Sequence, residues 1–125
     1  MRHKVLLVDD TDFYRKLYHA KLASEGYEVT VAQNGAEAIM SLGKAPPDVI
    51  LLDLMMPIMD GYKVLEAMKN DEKLKEIPVV VFTAKGASDE IDKAFAMGAR
   101  DFLVKATSPP NKVVDKIKKI LEQKN

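Results

Sequence analysis

Five runs of four or five residues, rich in Val, Ile, Leu and Phe, recur along the chain and constrain its fold more than any other feature: Lys4 to Val8, Glu28 to Val31, Asp48 to Leu52, Pro78 to Phe82 and Asp101 to Val104. Each has the length of a strand and is too short for a helix. The central runs are continuously apolar rather than alternating. Strands covered by helices on both faces read this way, and such strands form parallel sheets.

The intervening segments carry helix punctuation. Asn34 followed by Glu37 predicts a capping box opening a helix through Ile39 and Leu42, and Gly26 suits the C-terminal cap of the helix that carries Phe13 and Leu17. Ser88 with Asp89 and Glu90 predicts a cap and an acidic first turn, followed by Ile91, Ala94 and Phe95 on one face. Ser108-Pro109 predicts a helix start with proline at the first helical position, leading to Val113, Ile117, Ile120 and Leu121. Strand and helix alternate five times, and with right-handed crossovers this gives an open, doubly wound α/β sheet. Five strands suit the flavodoxin-like order 2-1-3-4-5, with a ligand crevice beyond the carboxyl ends of the first and third strands. No repeat or linker divides the sequence, so one domain is expected over 1–125, its core running from about 4 to 121.

That topology brings acids together. Asp9 and Asp10 end the first strand and Asp53 ends the third, so three carboxylates meet at one crevice. Two such charges about 4 Å apart repel by roughly 4 kcal/mol at an effective dielectric near 20. A shared proton or a divalent cation would offset this. All-oxygen ligation and the absence of cysteine favour Mg²⁺, with Mn²⁺ or Ca²⁺ as alternatives, over zinc. The fourth strand ends in Thr83 and the fifth is followed by Lys105, a hydroxyl and a cation that can each donate to a phosphate oxygen. Singly, these are a turn acid, a strand threonine and a surface lysine. Jointly they describe a phosphoryl-transfer site with Asp53 as the acceptor, forming an acyl phosphate.

These residues and their surrounding stretches, "VLLVDD", "PDVILLDLMMPIMDG", "IPVVVFTA", "AMGARDFLVK" and the following "SP", resemble the receiver domain of two-component response regulators, in particular a stand-alone receiver of the chemotaxis-regulator kind. The likeness runs from Lys4 to about Leu121. It implies that Asp53 accepts phosphate from a phosphohistidine of a sensor histidine kinase or phosphotransfer protein. It also implies that Asp10, Asp53 and the backbone carbonyl of Met55 ligate Mg²⁺, with Asp9 acting through a metal-bound water. Lys105 and Thr83 would bind the phosphoryl oxygens, and Phe102 would turn inward as Thr83 moves toward the phosphate. The surface of the Ile91 to Met97 helix, the fifth strand and the last helix would then change to signal to a partner. Such a protein is expected to be a phosphoacceptor that catalyses its own transfer, not an enzyme in the turnover sense.

Met55 and Lys85 occupy the family's variable positions. An apolar side chain beside the phosphoryl group hinders an attacking water, and a lysine cannot act as a carboxylate base, so slow self-dephosphorylation is expected. The chain departs from the Lys-Pro of many receivers, having Lys105-Ala106. A cis bond before a non-proline residue costs about 2.5 to 4 kcal/mol, so trans is expected there.

Rival readings lack a needed part. A dehalogenase-type phosphatase wants a second acid two residues beyond its nucleophile, where this chain has Met55, and a flavin carrier would not face a phosphate with Asp9-Asp10-Thr11-Asp12. A receiver-like interaction module that never takes phosphate remains the alternative. Lys plus Arg and Asp plus Glu both number 19, which gives no support for nucleic-acid or membrane binding through net charge. With no cysteine and no leader or apolar span read in the sequence, a cytoplasmic protein is expected. No DNA-binding motif follows Glu122. The signal is expected to leave through a downstream protein, with the chain a monomer or a dimer on phosphorylation, unless it is a fragment of a longer regulator.

Overall fold

In the computed structural model, which describes residues 2–123, the elements follow in the order β1 (Lys4–Val8), α1 (Asp12–Ser24), β2 (Glu28–Ala32), α2 (Gly35–Lys44), β3 (Val49–Leu52), α3 (Gly61–Lys69), β4 (Val79–Thr83), α4 (Ser88–Ala96), β5 (Asp101–Val104) and α5 (Pro110–Gln123), with a 3₁₀ turn at Lys105–Thr107. All five strands are parallel, in the expected order β2-β1-β3-β4-β5.

The continuous apolar runs have their cause in two separate cores. Leu6, Val8, Ile50, Leu52, Val79 and Val81 point to one side of the sheet and pack with residues of α2, α3 and α4. Their alternates Val5, Leu7, Val49, Leu51, Val80 and Phe82 point to the other side, against α1 and α5. The first core includes Met56 and Met68, flanked by Met59 and Met97. Among the described residues the second holds no methionine, and it includes Tyr18, Tyr27 and Phe82, with Tyr14 packed against it.

The helix ends refine the expectations. Asn34 accepts from the Glu37 N–H, while the Glu37 carboxylate reaches past the cap to the Gln33 N–H. Gly26, at φ +93°, follows the end of α1, a left-handed position that glycine adopts without a Cβ penalty. Ser88 is not a cap. Ala87 is itself extended and takes the cap position with no side-chain acceptor, so Ser88 becomes the first helical residue; Asp89 and Glu90 do lie in the first turn. The 3₁₀ turn delays α5, so Pro109 supplies the carbonyl that receives Lys112 and Val113, and Pro110 is the first helical residue. On α1 the buried face is Tyr18 and Leu22, and Phe13 and Leu17 are 66% and 37% exposed. On α4 only Ala94 is fully buried among the described residues, and Phe95 is 44% exposed. The Asp60 side chain, which accepts from the Lys63 N–H, caps α3. The described residues contain no cis peptide bond, so Lys105–Ala106 is trans as expected.

Candidate functional site

Parallel strands end together, so the residues just past their carboxyl ends form one rim. Asp9 follows β1 and Asp53 follows β3, and the Asp53 N–H donates to the Val8 carbonyl, so the ladder extends to the acid itself. The carboxylates of Asp9, Asp10 and Asp53 each offer an oxygen within 4.8 Å of the others. Asp9 and Asp53 are buried and Asp10 is exposed.

Every carboxylate oxygen of the two buried acids is engaged. Asp53 Oδ1 accepts from Thr83 Oγ1 at 2.9 Å and from the Met55 N–H at 3.0 Å, and its Oδ2 accepts from Lys105 Nζ at 3.1 Å. Asp9 Oδ1 accepts from the Thr11 N–H at 2.9 Å, and its Oδ2 lies 2.7 Å from Lys105 Nζ. One lysine therefore serves two acids. Burial alone would lower the Lys105 ammonium, but its bond to Asp9 and the field of Asp53 outweigh it and hold the lysine above its ordinary range. Burial pushes the Asp9 carboxyl up, by more than Lys105 and the Thr11 amide draw it down. The lysine gains fully from its two partners, whereas Asp9 has only a share of one counter-charge.

The acceptor loop between β3 and α3 is held by close backbone approach. The Gly61 N–H donates to the Leu54 carbonyl, and a Cβ at Gly61 would collide with the Asp53 carbonyl and with Leu54 Cα. Ile58 has φ +70°, rare for a β-branched residue, and the Met59 N–H bonds back to the Pro57 carbonyl across it. The Met59 carbonyl then receives the Gly35 N–H at the start of α2.

The remaining expected residues are arranged as follows. Met55 is exposed beside the acceptor, and Lys85 is exposed in the β4–α4 loop. Thr83 pairs in register with Val104 and Val81 with Phe102, so Thr83 and Phe102 share one face of the sheet. Phe102 is half-buried against the core on the α4 side. Sequence reasoning missed Tyr14, whose ring lies against Lys105, and Arg15, which donates to the Asp9 carbonyl at 2.8 Å. The spacing of Tyr14, Tyr18 and Leu22 was the available signal for Tyr14.

The donor set fits a hard divalent cation, since three carboxylates cluster, only two of them touch Lys105, and no sulfur or imidazole takes part in the cluster among the described residues. Among the described residues, no helix is long and apolar enough to cross a membrane.

Five parallel strands in this order, with clustered acids, a threonine and a lysine at their carboxyl ends, define a receiver-type α/β domain. The chain belongs to the response regulator receiver domain family of two-component signalling, whose model matches residues 5–118. It is 41% identical over 105 residues to the response regulator PleD of Caulobacter vibrioides, covering 84% of this chain and 23% of PleD. It is 38% identical over 106 residues to the two-component response regulator ORR5 of rice, Oryza sativa, covering 84% of this chain and 79% of ORR5. The chain thus spans about a quarter of the length of PleD. Among solved structures, chemotaxis protein CheY4 of Vibrio cholerae superposes with a TM-score of 0.90 at 31% identity, over 96% of this chain and 99% of CheY4.

Proposed function

We propose that this protein accepts a phosphoryl group on Asp53 from a phosphohistidine of a sensor histidine kinase or phosphotransfer protein, and that the new charge alters its α4–β5–α5 surface to signal to a downstream protein. The observation that carries this reading is the engagement of the Asp53 carboxylate by a hydroxyl, an amide and an ammonium, those of Thr83, Met55 and Lys105. One Asp53 carboxylate oxygen attacks phosphorus, the P–N bond breaks, and the imidazole leaves with the electron pair and takes a proton. Lys105 and Thr83 then donate to the phosphoryl oxygens carried on Asp53. Asp10, Asp53 and the Met55 carbonyl, with Asp9 through a water, would hold Mg²⁺ or Mn²⁺. When bound, the ion supplies positive charge to the phosphoryl oxygens. The protein is on this reading a phosphoacceptor that assists its own phosphorylation rather than a turnover enzyme, working in the cytoplasm beside its kinase.

The readout follows from the same donors. Thr83 drawn toward the phosphate leaves space on the sheet face it shares with Phe102, and the half-buried ring of Phe102 fills it. Phe102, Phe95 and the weakly anchored α4 then form the altered surface.

Incubation with acetyl phosphate and Mg²⁺, read by intact mass, should add one phosphoryl group to the wild type and none to Asp53→Ala or without the metal. If no adduct forms, beryllofluoride with Mg²⁺ distinguishes rapid hydrolysis from absence of binding. Failure of both would leave the interaction module that takes no phosphate.

Met55 and Lys85 set a further expectation. With an apolar Met55 two residues beyond the acceptor and no carboxylate base at Lys85, the phosphoprotein should persist for minutes or longer at room temperature. A lifetime of seconds in a phosphate-release assay would contradict this.

A further inference from the structure

Lys105 is enclosed by rings as well as by acids. Its Nζ lies 4.1 Å from the centroid of the Tyr14 ring and 5.7 Å from that of Phe82. Tyr14 stands edge-on to Phe82 at 6.0 Å and nearly parallel to Tyr18 at 6.4 Å, while Tyr18 meets Phe82 edge-on at 5.1 Å. Tyr14 and Tyr18 are one helical turn apart on α1, and Phe82 lies on β4, so regular elements rather than loops carry all three rings. The Lys105 side chain is only 6% exposed.

A lysine on a flexible four-carbon stem gains most of its hydration by leaving such a place. Asp9 and Asp53 oppose that, but each carboxylate also partly neutralises the ammonium. A ring face attracts the cation through its quadrupole without adding a formal negative charge. We propose that Tyr14, backed by Phe82, is a positioning residue that holds the Lys105 ammonium on the inner side of the acidic pocket, ready for a phosphoryl oxygen before the donor arrives. The proposal rests on Asp53 being the phosphoacceptor. It adds a part of the site formed by α1, and it assigns a role to a residue with no polar contact to the acceptor. A donor group fixed before reaction needs no reorganisation when charge develops, which is where its catalytic value lies.

The test compares wild type, Tyr14→Leu and Tyr14→Phe for the rate of phosphorylation by acetyl phosphate with Mg²⁺, together with NMR of the Lys105 side chain. Tyr14→Leu should phosphorylate about tenfold more slowly, the ratio expected for losing one cation–π contact in a desolvated place. Tyr14→Phe, which keeps the ring, should restore the rate. In the wild type the Lys105 ε-protons should be shifted upfield by the ring, a shift lost in Tyr14→Leu and kept in Tyr14→Phe. An unchanged rate in Tyr14→Leu, or a Tyr14→Phe variant as slow as Tyr14→Leu, would overturn the proposal. So would unshifted Lys105 ε-protons in the wild type, a result that stands even if Tyr14→Leu does not fold. A wild type that takes neither phosphate nor beryllofluoride would instead remove the acceptor reading, and the ring-induced shift would still decide whether Tyr14 holds Lys105.

Discussion

Replacing Lys105 with methionine is expected to cost the metal-free protein about 3 to 5 kcal/mol at neutral pH, the usual result of removing one partner from a buried charge cluster. Lys105 Nζ reaches both Asp9 and Asp53, so one substitution leaves two buried carboxylates without their cation. The loss should depend on pH in a defined direction. The Asp9 carboxyl already titrates above its ordinary range because of burial. A carboxyl raised in the folded state contributes stability that is present below its unfolded pKa and lost as pH rises through the folded one. Without the ammonium this rise grows, so the deficit of Lys105→Met should be largest near pH 8 and shrink toward pH 4. Urea unfolding of both proteins at the two pH values measures this. A difference below about 1 kcal/mol at pH 8 would mean that the acids are already neutral or hydrated. In the phosphorylation assay the same variant should be slower by a factor of about 100 or more, as when one charge-stabilising donor is removed from a transfer site.

The second large effect comes from a position with no reactive group. Gly61→Ala should destabilise the protein by up to about 3 kcal/mol, at the upper end of the cost of overpacking. Its new Cβ would meet the Asp53 carbonyl and Leu54 Cα, which are backbone atoms and cannot swing aside. The acceptor loop must move instead. Displacing an acceptor by about 1 Å can cost on the order of 100-fold in rate, so phosphorylation should fall together with stability. Gly43→Ala supplies the control. Gly43 lies inside α2 with nothing within 4 Å of a new Cβ, and there alanine should stabilise by about 0.5 to 1 kcal/mol. Thermal melts of the two variants should therefore shift in opposite directions, and a shared direction would contradict the steric account of Gly61.

The sheet was legible because each aliphatic run is buried on both faces, and the acids were legible because strand ends are fixed once the strands are. Asp9, Asp53, Thr83 and Lys105 needed nothing more to be brought together. The sharing of Lys105 between Asp9 and Asp53 was hidden, since strand positions do not say where a long stem carries its ammonium. Tyr14 was hidden for an angular reason: adjacent helix residues point about 100° apart. Phe13 and Leu17 mark α1 in the sequence without marking its inner face, and the neighbouring Tyr14–Tyr18–Leu22 face is the one turned to the sheet. The starts of α4 and α5 were misplaced by one residue, because Ala87 and Pro109 take cap positions that the backbone on either side decides. α3 has a cap in Asp60, but that residue reads equally as part of the loop before it.

The two cores differ in how readily they can be rearranged. Behind Lys105, on the α1 and α5 side, flat rigid rings interlock and have few ways to repack. On the other side Met56, Met59, Met68 and Met97 offer unbranched thioether chains that refill space as neighbours shift. A disturbance at Asp53 thus meets a stiff wall on one face and a yielding one on the other. Mechanical compliance, more than the placement of any charge, would then set the direction in which the molecule gives way.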